Sequence, residues 1–420
     1  MDNDIKIEHY KTVKSCFLCH SSNLQEIFSV NSICLTGYFP LVAEDDPIQT
    51  PVSIMRCKSC KNIQARELID PNLMFQDYWY RSSTTATMRN HLEDIVNRFG
   101  SSEGAILDIG SNDGTLLSIA KQKGMEVWGV EPSVAFNDAP IEIQKKTVNA
   151  LFGSDQCDIF LEKANIKFDL ITAISMFYDV SEPLSFIEKL RELLTPEGVI
   201  VIEVNYAKSF FERQNVDMLG QEHLIYYFIE TFSNLVSSAG LNINDAYLTD
   251  MNGGNITFAI SRSTDISDRY KSLAKDEAAW MKNFDFEGFG PAVSRGFDMF
   301  KEKLISISKT HNVKVLGAST RGAMIIQMLG LDTKTIDSAV DLQKNKVGRR
   351  IPGTDIEIEF DADHKAPDYY LVMPYQFRDE IIVRYTDFMK NGGGLLFYRP
   401  AQEVITYDKS ANAIKYSPIV

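Results

Sequence analysis

Between residues 105 and 130 the chain alternates between apolar and polar stretches in a way that places two strands and the helix joining them. Ala105, Ile106, Leu107 and Ile109 form an apolar run broken only by Asp108. A turn carrying Gly110 and Gly114 follows, and Leu116 and Leu117 open a second apolar stretch. A short apolar run ending near an acid reads as a buried parallel strand, and the second stretch as the start of a helix. Val127 to Val130 give the next strand, which ends at Glu131 and Pro132. The pattern continues with strands over 168–177 and 198–204, helices over 183–194 and 231–239, and two last strands over 241–248 and 255–260. A further helix is predicted upstream, over 88–99. After a charged connector of helical period over 265–310, the alternation restarts at Val313. It predicts a strand, a glycine turn from Gly317 to Gly322, a helix over 323–329, strands over 336–341, 369–373 and 395–397, and a helix over 378–390. Strands alternating with helices predict α/β domains, here two Rossmann-like units. The expected divisions are residues 1–75, 76–262 and 263–420.

The chain has 420 residues, 44% of them hydrophobic and 24% charged, so two or three domains with sizeable cores are expected. With 43 basic against 57 acidic residues the formal net charge is −14. That argues against nucleic acid as a partner, because a phosphate-backbone binder carries a basic footprint. No apolar run reaches membrane-spanning length and the first residues have no signal-peptide pattern, so no membrane is expected and the cytoplasm is the expected location. Six cysteines then read as metal ligands or buried thiols rather than a disulfide framework.

Four of them, Cys16, Cys19, Cys57 and Cys60, form two C-x-x-C knuckles. Two knuckles bring four thiolates to one tetrahedral Zn²⁺ with no open position, which marks a structural site. His20 and Cys34 are read as bystanders, because the knuckles already complete a set. The segment after this unit is aromatic and hydroxyl-rich; Tyr78 and Tyr80 either pack the units together or reach a polar site with their phenols. In the first glycine turn, Gly110 and Gly114 allow close approach of a ligand to the backbone. Glu131 is placed to accept hydrogen bonds from two vicinal hydroxyls. Ligands bind at the C-terminal ends of strands in such sheets, so Ser175, Tyr178, Asp179 and residues 203–206 are expected to line a cleft. Residues 221–228 bring a carboxylate (Glu222), an imidazole (His223) and two phenols (Tyr226 and Tyr227) together near its mouth. An imidazole, with an ordinary pKa of about 6.5, suits a general base. In the second glycine turn, Ser319, Thr320 and Arg321 at a helix N-terminus suit a phosphate, although a plain tight turn explains the glycines equally well. Lys346, Gly348, Arg349 and Arg350 form a short basic loop that is either a ligand contact or simply solvated.

The D-x-G-x-x-x-G turn from Asp108 to Gly114, with Glu131 after the next strand, resembles the first motif of class I S-adenosylmethionine (SAM) methyltransferases. It differs from the G-x-G-x-x-G dinucleotide fingerprint and lacks the Walker lysine. Taken with the cysteine knuckles, Glu222–His223, Asn252–Gly253–Gly254, the turn from Gly317 to Gly322, residues 348–354 and residues 374–379, nearly the whole chain resembles the sugar C-methyltransferases of deoxysugar biosynthesis. These include the dTDP-4-keto sugar C-3′-methyltransferases. The resemblance implies a class I SAM methyltransferase domain flanked by a small zinc-binding domain and a C-terminal Rossmann-like domain. It implies SAM held by Asp108, Gly110, Asn112, Gly114, Glu131, Pro132, Asn149, Phe152 and Ser175. It also implies a nucleotide-linked 4-keto-6-deoxy sugar as substrate, its nucleotide (dTDP, GDP or CDP) unspecified, contacting Tyr78, Tyr178, Ser319, Thr320, Arg321 and Lys346. His223 would remove the proton beside the ketone and Glu222 would orient it or the sugar hydroxyls, with Tyr80 and Tyr226 as donors to the enolate oxygen. Relatives carry an Asn and a His after the fourth strand, where this chain has Ser175 and Asp179, so either Asp179 or Tyr178 takes over the role of that His or the substrate differs. A sugar O-methyltransferase, a zinc-ribbon RNA methyltransferase and a non-catalytic binding protein are the competing readings; the charge argues against the second and the intact acid–base cluster against the third. The oligomeric state is left open.

Overall fold

A computed structural model describes residues 10–70, 73–74 and 80–419. Tyr78 lies outside the described residues. Among them are two seven-stranded sheets, a four-stranded sheet and a two-stranded ribbon.

The first large sheet has the order Thr147–Val148, Glu126–Val130, Ala105–Ile109, Phe168–Ile174, Leu194–Asn205, Asn255–Ser261, Asn242–Thr249. The first five strands are parallel, and Asn255–Ser261 runs antiparallel between its two neighbours. This is the class I methyltransferase arrangement. Its strands are buried on both faces, which is why they read as continuous apolar runs. Helices Thr115–Gln122 and Ala86–Phe99 cover one face through Met88, Leu92, Ile95 and Leu116, and helices Pro183–Leu193 and Ile229–Ser238 cover the other through Phe186, Ile187 and Phe232. The strand order reverses between Ala105–Ile109 and Phe168–Ile174, and a ligand crevice opens at such a switch point.

The second large sheet repeats the first five positions: Ile358–Phe360, Ala339–Asp341, Val313–Leu316, Tyr369–Val372, Gly394–Phe397, all parallel. It ends in an antiparallel hairpin, Glu403–Asp408 and Ala413–Pro418, that the apolar pattern did not predict. The expected helix over 378–390 is two helices, Arg378–Arg384 and Thr386–Lys390.

The N-terminal unit carries the four-stranded sheet, built from Leu24–Cys34, Gln49–Cys57, Ile63–Ala65 and, at its edge, Ile225–Tyr226. The segment read from sequence as the acid–base cluster therefore leaves the methyltransferase sheet and completes a sheet of the cysteine-bearing unit. Ile33, Phe39 and Val52 of that unit share one core with Phe289, Val293 and Ala323 of the C-terminal half. No described helix is long and apolar enough to cross a membrane.

Candidate active site

The glycine turn after Ala105–Ile109 is held by a carboxylate. Glu131 is buried and accepts the N–H of Asn112 at 2.7 Å and that of Ser133 at 2.8 Å. Two of the four acceptor positions of a carboxylate are then filled, and two remain for hydroxyls. Gly110 and Gly114 have φ of 73° and 72°, the left-handed region where a side chain is strained, and Asn112 joins them at 51°. Asp108 accepts from the Thr172 hydroxyl at 2.6 Å. Burial lifts its carboxyl to about 7, the Thr172 bond working against that rise and the Glu131 charge adding to it. Pro132 lies between Glu131 and Ser133 in the turn. The Asn149 amide donates to the carbonyls of Glu131 (2.7 Å) and Ser133 (3.2 Å), so it braces that turn from behind. Phe152 stacks against Phe186 with ring centroids 4.6 Å apart.

At the end of Phe168–Ile174, Ser175 has φ of 54°, and its hydroxyl lies 3.2 Å from the amide nitrogens of both Asn252 and Asn255. Beneath it sits a cluster that sequence reasoning missed. Glu203 is fully buried and takes hydrogen bonds from Thr257 at 2.7 Å and Asn255 at 3.0 Å, and it pairs with His91 at 2.8 Å. Burial opposes the His91 cation, but the bond to Glu203 and its charge outweigh burial and raise the imidazole above its ordinary value. Glu203 is likewise pushed up by burial and pulled down further by His91, so its net shift is downward. Residues 203–206 were expected at the cleft, but nothing local in the sequence links His91 to them.

The acid–base segment lies across the crevice. His223 is partly buried, with Nδ1 2.6 Å from the carbonyl of Met218. A carbonyl only accepts, so Nδ1 carries the proton and Nε2 keeps its lone pair. Nε2 lies 3.9 Å from the Glu222 carboxylate. The loop is tied to the end of the fourth strand by Leu224 N–H to Tyr178 C=O at 2.9 Å, and the Tyr178 and His223 rings meet edge-on at 4.5 Å. This brings His223, Glu222, Tyr178 and Asp179 together. One Asp179 oxygen is buried with no hydrogen-bond partner among the described residues. Burial, reinforced by the Glu222 charge, holds the Asp179 carboxyl well above the carboxylate range. Tyr226, expected as a donor to the enolate oxygen, donates its phenol here to Met218 C=O at 2.9 Å, the carbonyl that also holds His223. Tyr80 is 44% exposed at the rim.

The second glycine turn repeats the first in detail. Asp341, ending its sheet's second strand, accepts Ala318 N–H at 2.9 Å and Gln343 N–H at 2.8 Å. The polar side chains expected to hold a phosphate have other partners. Ser319 caps the helix Thr320–Leu329 through Gly322 N–H at 3.0 Å, and Thr320 opens the first turn of that helix. Arg321 donates to Asp217 at 2.7 Å and to the Tyr375 hydroxyl at 2.6 Å. Lys346 is buried, donating to Ala318 C=O at 2.7 Å. The loop around it is solvated at Val347 and Gly348, but its arginines are tied down: Arg349 donates to Phe39 C=O at 2.6 Å, and Arg350 to Glu44 C=O at 2.7 Å and to Asp46.

The sulfurs of Cys16, Cys19, Cys57 and Cys60 lie within 4.8 Å of one another, with Cys16–Cys60 at 3.5 Å and Cys19–Cys57 at 3.6 Å. Thiolates around a tetrahedral ion with bonds near 2.3 Å stand about 3.8 Å apart, so the four fit one metal. His20 and Cys34 are outside the set.

A family model described as a methyltransferase domain matches residues 85–246, and one described as a C-methyltransferase C-terminal domain matches residues 250–400. The chain is 25% identical over 417 residues to the C-methyltransferase NovU of Streptomyces niveus, covering 95% of this chain and 99% of that protein. The chain belongs to the SAM-dependent C-methyltransferases. This methyltransferase is also 30% identical over 181 residues to a ubiquinone biosynthesis O-methyltransferase of Histophilus somni, covering 39% of this chain and 73% of that one. Among solved structures, the CcbJ methyltransferase from Streptomyces caelestis aligns with 44% of this chain and 92% of its own at 13% identity and a TM-score of 0.33. In the methyltransferase sheet, the turn Gly110–Gly114 and Glu131 lie on one side of the switch point, and Leu194–Asn205, Asn255–Ser261 and Asn242–Thr249 lie on the other.

Proposed function

We propose that this C-methyltransferase methylates the carbon beside the ketone of a nucleotide-linked 4-keto-6-deoxy sugar, at C-3′, through an enolate. The observation that supports the reading is the hydrogen bond that puts the proton of the neutral His223 ring on Nδ1 and leaves Nε2, 3.9 Å from the Glu222 carboxylate, as the acceptor. Nε2 takes the α-proton, and the electrons of that C–H bond form the enolate double bond as the ketone oxygen takes up charge. The carbanionic carbon then bonds to the methyl group, the carbon–sulfur bond breaks, and its electrons stay on sulfur. When bound, SAM supplies that methyl on a positively charged sulfur. The proton remains on His223 until solvent takes it.

Asp179, kept neutral by burial, donates its proton in a hydrogen bond to the developing enolate oxygen. A protonated carboxyl in an apolar site can act as an oxyanion donor, and this is how the residue substitutes for the histidine of its relatives. Glu222 steadies the imidazolium, and the turn at Ser319 faces the nucleotide with its backbone N–H groups. The four cysteines hold a structural Zn²⁺. Positioning of carbon against methyl supplies much of the rate.

The test is incubation with SAM and a panel of nucleotide-linked 4-keto-6-deoxy sugars in deuterated water, read by mass and by NMR. The expected outcome is one added methyl on carbon in the product, and deuterium washed into the position beside the ketone in sugar left unmethylated when SAM is withheld. A methyl on oxygen without exchange would make the protein a sugar O-methyltransferase instead. No product from any such sugar, despite SAM binding, would remove the substrate class.

A further inference from the structure

Across the switch point from Glu131, three strands place polar side chains in register. Asn205 stands opposite Asn255, and Asn255 stands opposite Thr249. Directly opposed residues in antiparallel strands present their side chains to the same face. The adjacent row, Glu203, Thr257 and Tyr247, fixes which face this is: Glu203 meets His91 of the helix Ala86–Phe99 there. The two rows differ in degree. In the Glu203 row the carboxylate is met by Thr257, Asn255 and His91, and Tyr247 Oη is left without a hydrogen-bond partner among the described residues. The Asn205 row leaves more. Asn205 is 4% exposed, and both its amide atoms, together with Asn255 Oδ1 and Thr249 Oγ1, find no hydrogen-bond partner among the described residues.

Buried polar atoms are almost always paired, and four orphans in one row are unusual. We infer that this row is the subsite that reads a hydroxyl of the sugar ring, with Asn205 the specificity-determining residue. The orientation of Asn255 follows from its partners: its nitrogen donates to the Glu203 carboxylate, so the unpartnered atom is its oxygen, which can only accept. The ligand must therefore bring an O–H donor. Asn205 offers a donor and an acceptor side by side, which suits a second hydroxyl or a carbonyl. The negative charge beneath the row is already matched by His91, so the row is neutral and fits a polyol rather than a phosphate. It also lies in the right place. Tyr80 is within electrostatic reach of Glu203, and Gly253, two residues before Asn255, approaches Arg321 and Tyr375 of the C-terminal unit. The row thus lies where the units meet, beside Ser175. This inference rests on the sugar reading proposed above and names which residues discriminate within it.

The experiment compares the wild-type enzyme with Asn205→Leu and Asn205→Ser, using the nucleotide-linked keto sugar methylated in the assay above and its analogue lacking one ring hydroxyl. An amide reserved for ligand leaves the free protein no less stable when it is replaced by an apolar side chain of similar size. The expected result is an unchanged or higher melting temperature, unchanged SAM affinity, and a KM for the sugar raised about tenfold or more in Asn205→Leu, with Asn205→Ser between. The wild type should prefer the full sugar over the deoxy analogue, and the Leu variant should treat the two alike. An unchanged KM with discrimination retained would overturn the inference while leaving the sugar reading intact. So would a melting temperature lowered in both variants with SAM binding impaired, which would make Asn205 a structural residue. If the wild type binds no nucleotide-linked sugar at all, the sugar reading fails and this inference falls with it.

Discussion

The role proposed for His223 rests on a single hydrogen bond. Because Nδ1–H is held by Met218 C=O, the ring is fixed both in rotation and in tautomer, and Nε2 is ready to accept a proton. His223→Gln keeps most of the ring's volume and removes the base. It should lower kcat by about 10² to 10⁴ with SAM affinity unchanged, read by single-turnover methyl transfer and by calorimetry. A variant with wild-type kcat would remove the base assignment. Asp179 tests differently, because its proposed task is to donate a proton in a hydrogen bond rather than to carry charge. Asp179→Asn keeps a donor and should retain clearly more activity than Asp179→Ala; equal loss in both would mean that the ionised carboxylate is what matters. His91 and Glu203 control stability instead. The imidazole is raised from 6.5, so its contribution is complete below that pH and is lost as pH rises through the raised value. The carboxyl is lowered from 4.5, so its contribution is complete above that pH and is lost as pH falls through the lowered value. The pair is therefore at full strength between these two values. Melting temperature followed from pH 6.5 upward should decline in the wild type, and His91→Gln should flatten that decline. Parallel curves for the two proteins would show that the pair does not titrate in this range.

At the scale of the element, the parallel strands and their glycine turns were legible because a strand buried on both faces has to be apolar throughout and has to end in a turn its ligand can approach. Glu131, Asp108 and the four cysteines were legible for the same reason, since each lies within a short motif. Ile225–Tyr226 was not legible. Two residues carry no periodicity, and their pairing partner, Ile63–Ala65, lies far away in the chain. The Glu203–His91 cluster and the Asn205 row escaped too, because register between distant strands is set by the folded sheet and not by local pattern. The pairing has a consequence for the metal proposed at the four cysteines. Gln64, opposite Ile225, accepts the N–H of Phe17 at 2.9 Å inside the first knuckle, and Asn62 beside it reaches the Cys16 sulfur at 3.8 Å. The knuckles thus fix the strand against which the segment that follows His223 is laid. Removing the metal with a chelator, or making Cys57→Ser, should lower both melting temperature and kcat, while SAM affinity changes little. A metal-free protein with full kcat would uncouple the knuckles from the catalytic segment.

For the whole molecule, the question is what holds the C-terminal half against the methyltransferase sheet, since the function proposed above puts the sugar between them. The basic loop 346–350 clamps residues 39–46 of the N-terminal unit, and Arg321 reaches Asp217 on the methyltransferase side. Asp217 is 3% exposed and also takes the Tyr375 hydroxyl at 3.1 Å, so a buried ion pair joins the halves beside Gly253. Its composition explains why a residue read as a phosphate ligand has another use: an arginine at a helix N-terminus in an acidic chain finds a buried carboxylate once the fold brings one to it. Such a pair is weak support for stability as a pair, but breaking it leaves a buried charge alone, at about 3 to 5 kcal/mol. Arg321→Leu should therefore lower the melting temperature strongly and raise KM for the sugar, because the proposed sugar site loses its far wall. The double variant Arg321→Leu with Asp217→Leu should recover most of the stability, since neither charge is then stranded. If the KM stays raised in that double variant while the melting temperature returns, the pair serves to set the gap between the halves; if both return together, the pair matters only through folding.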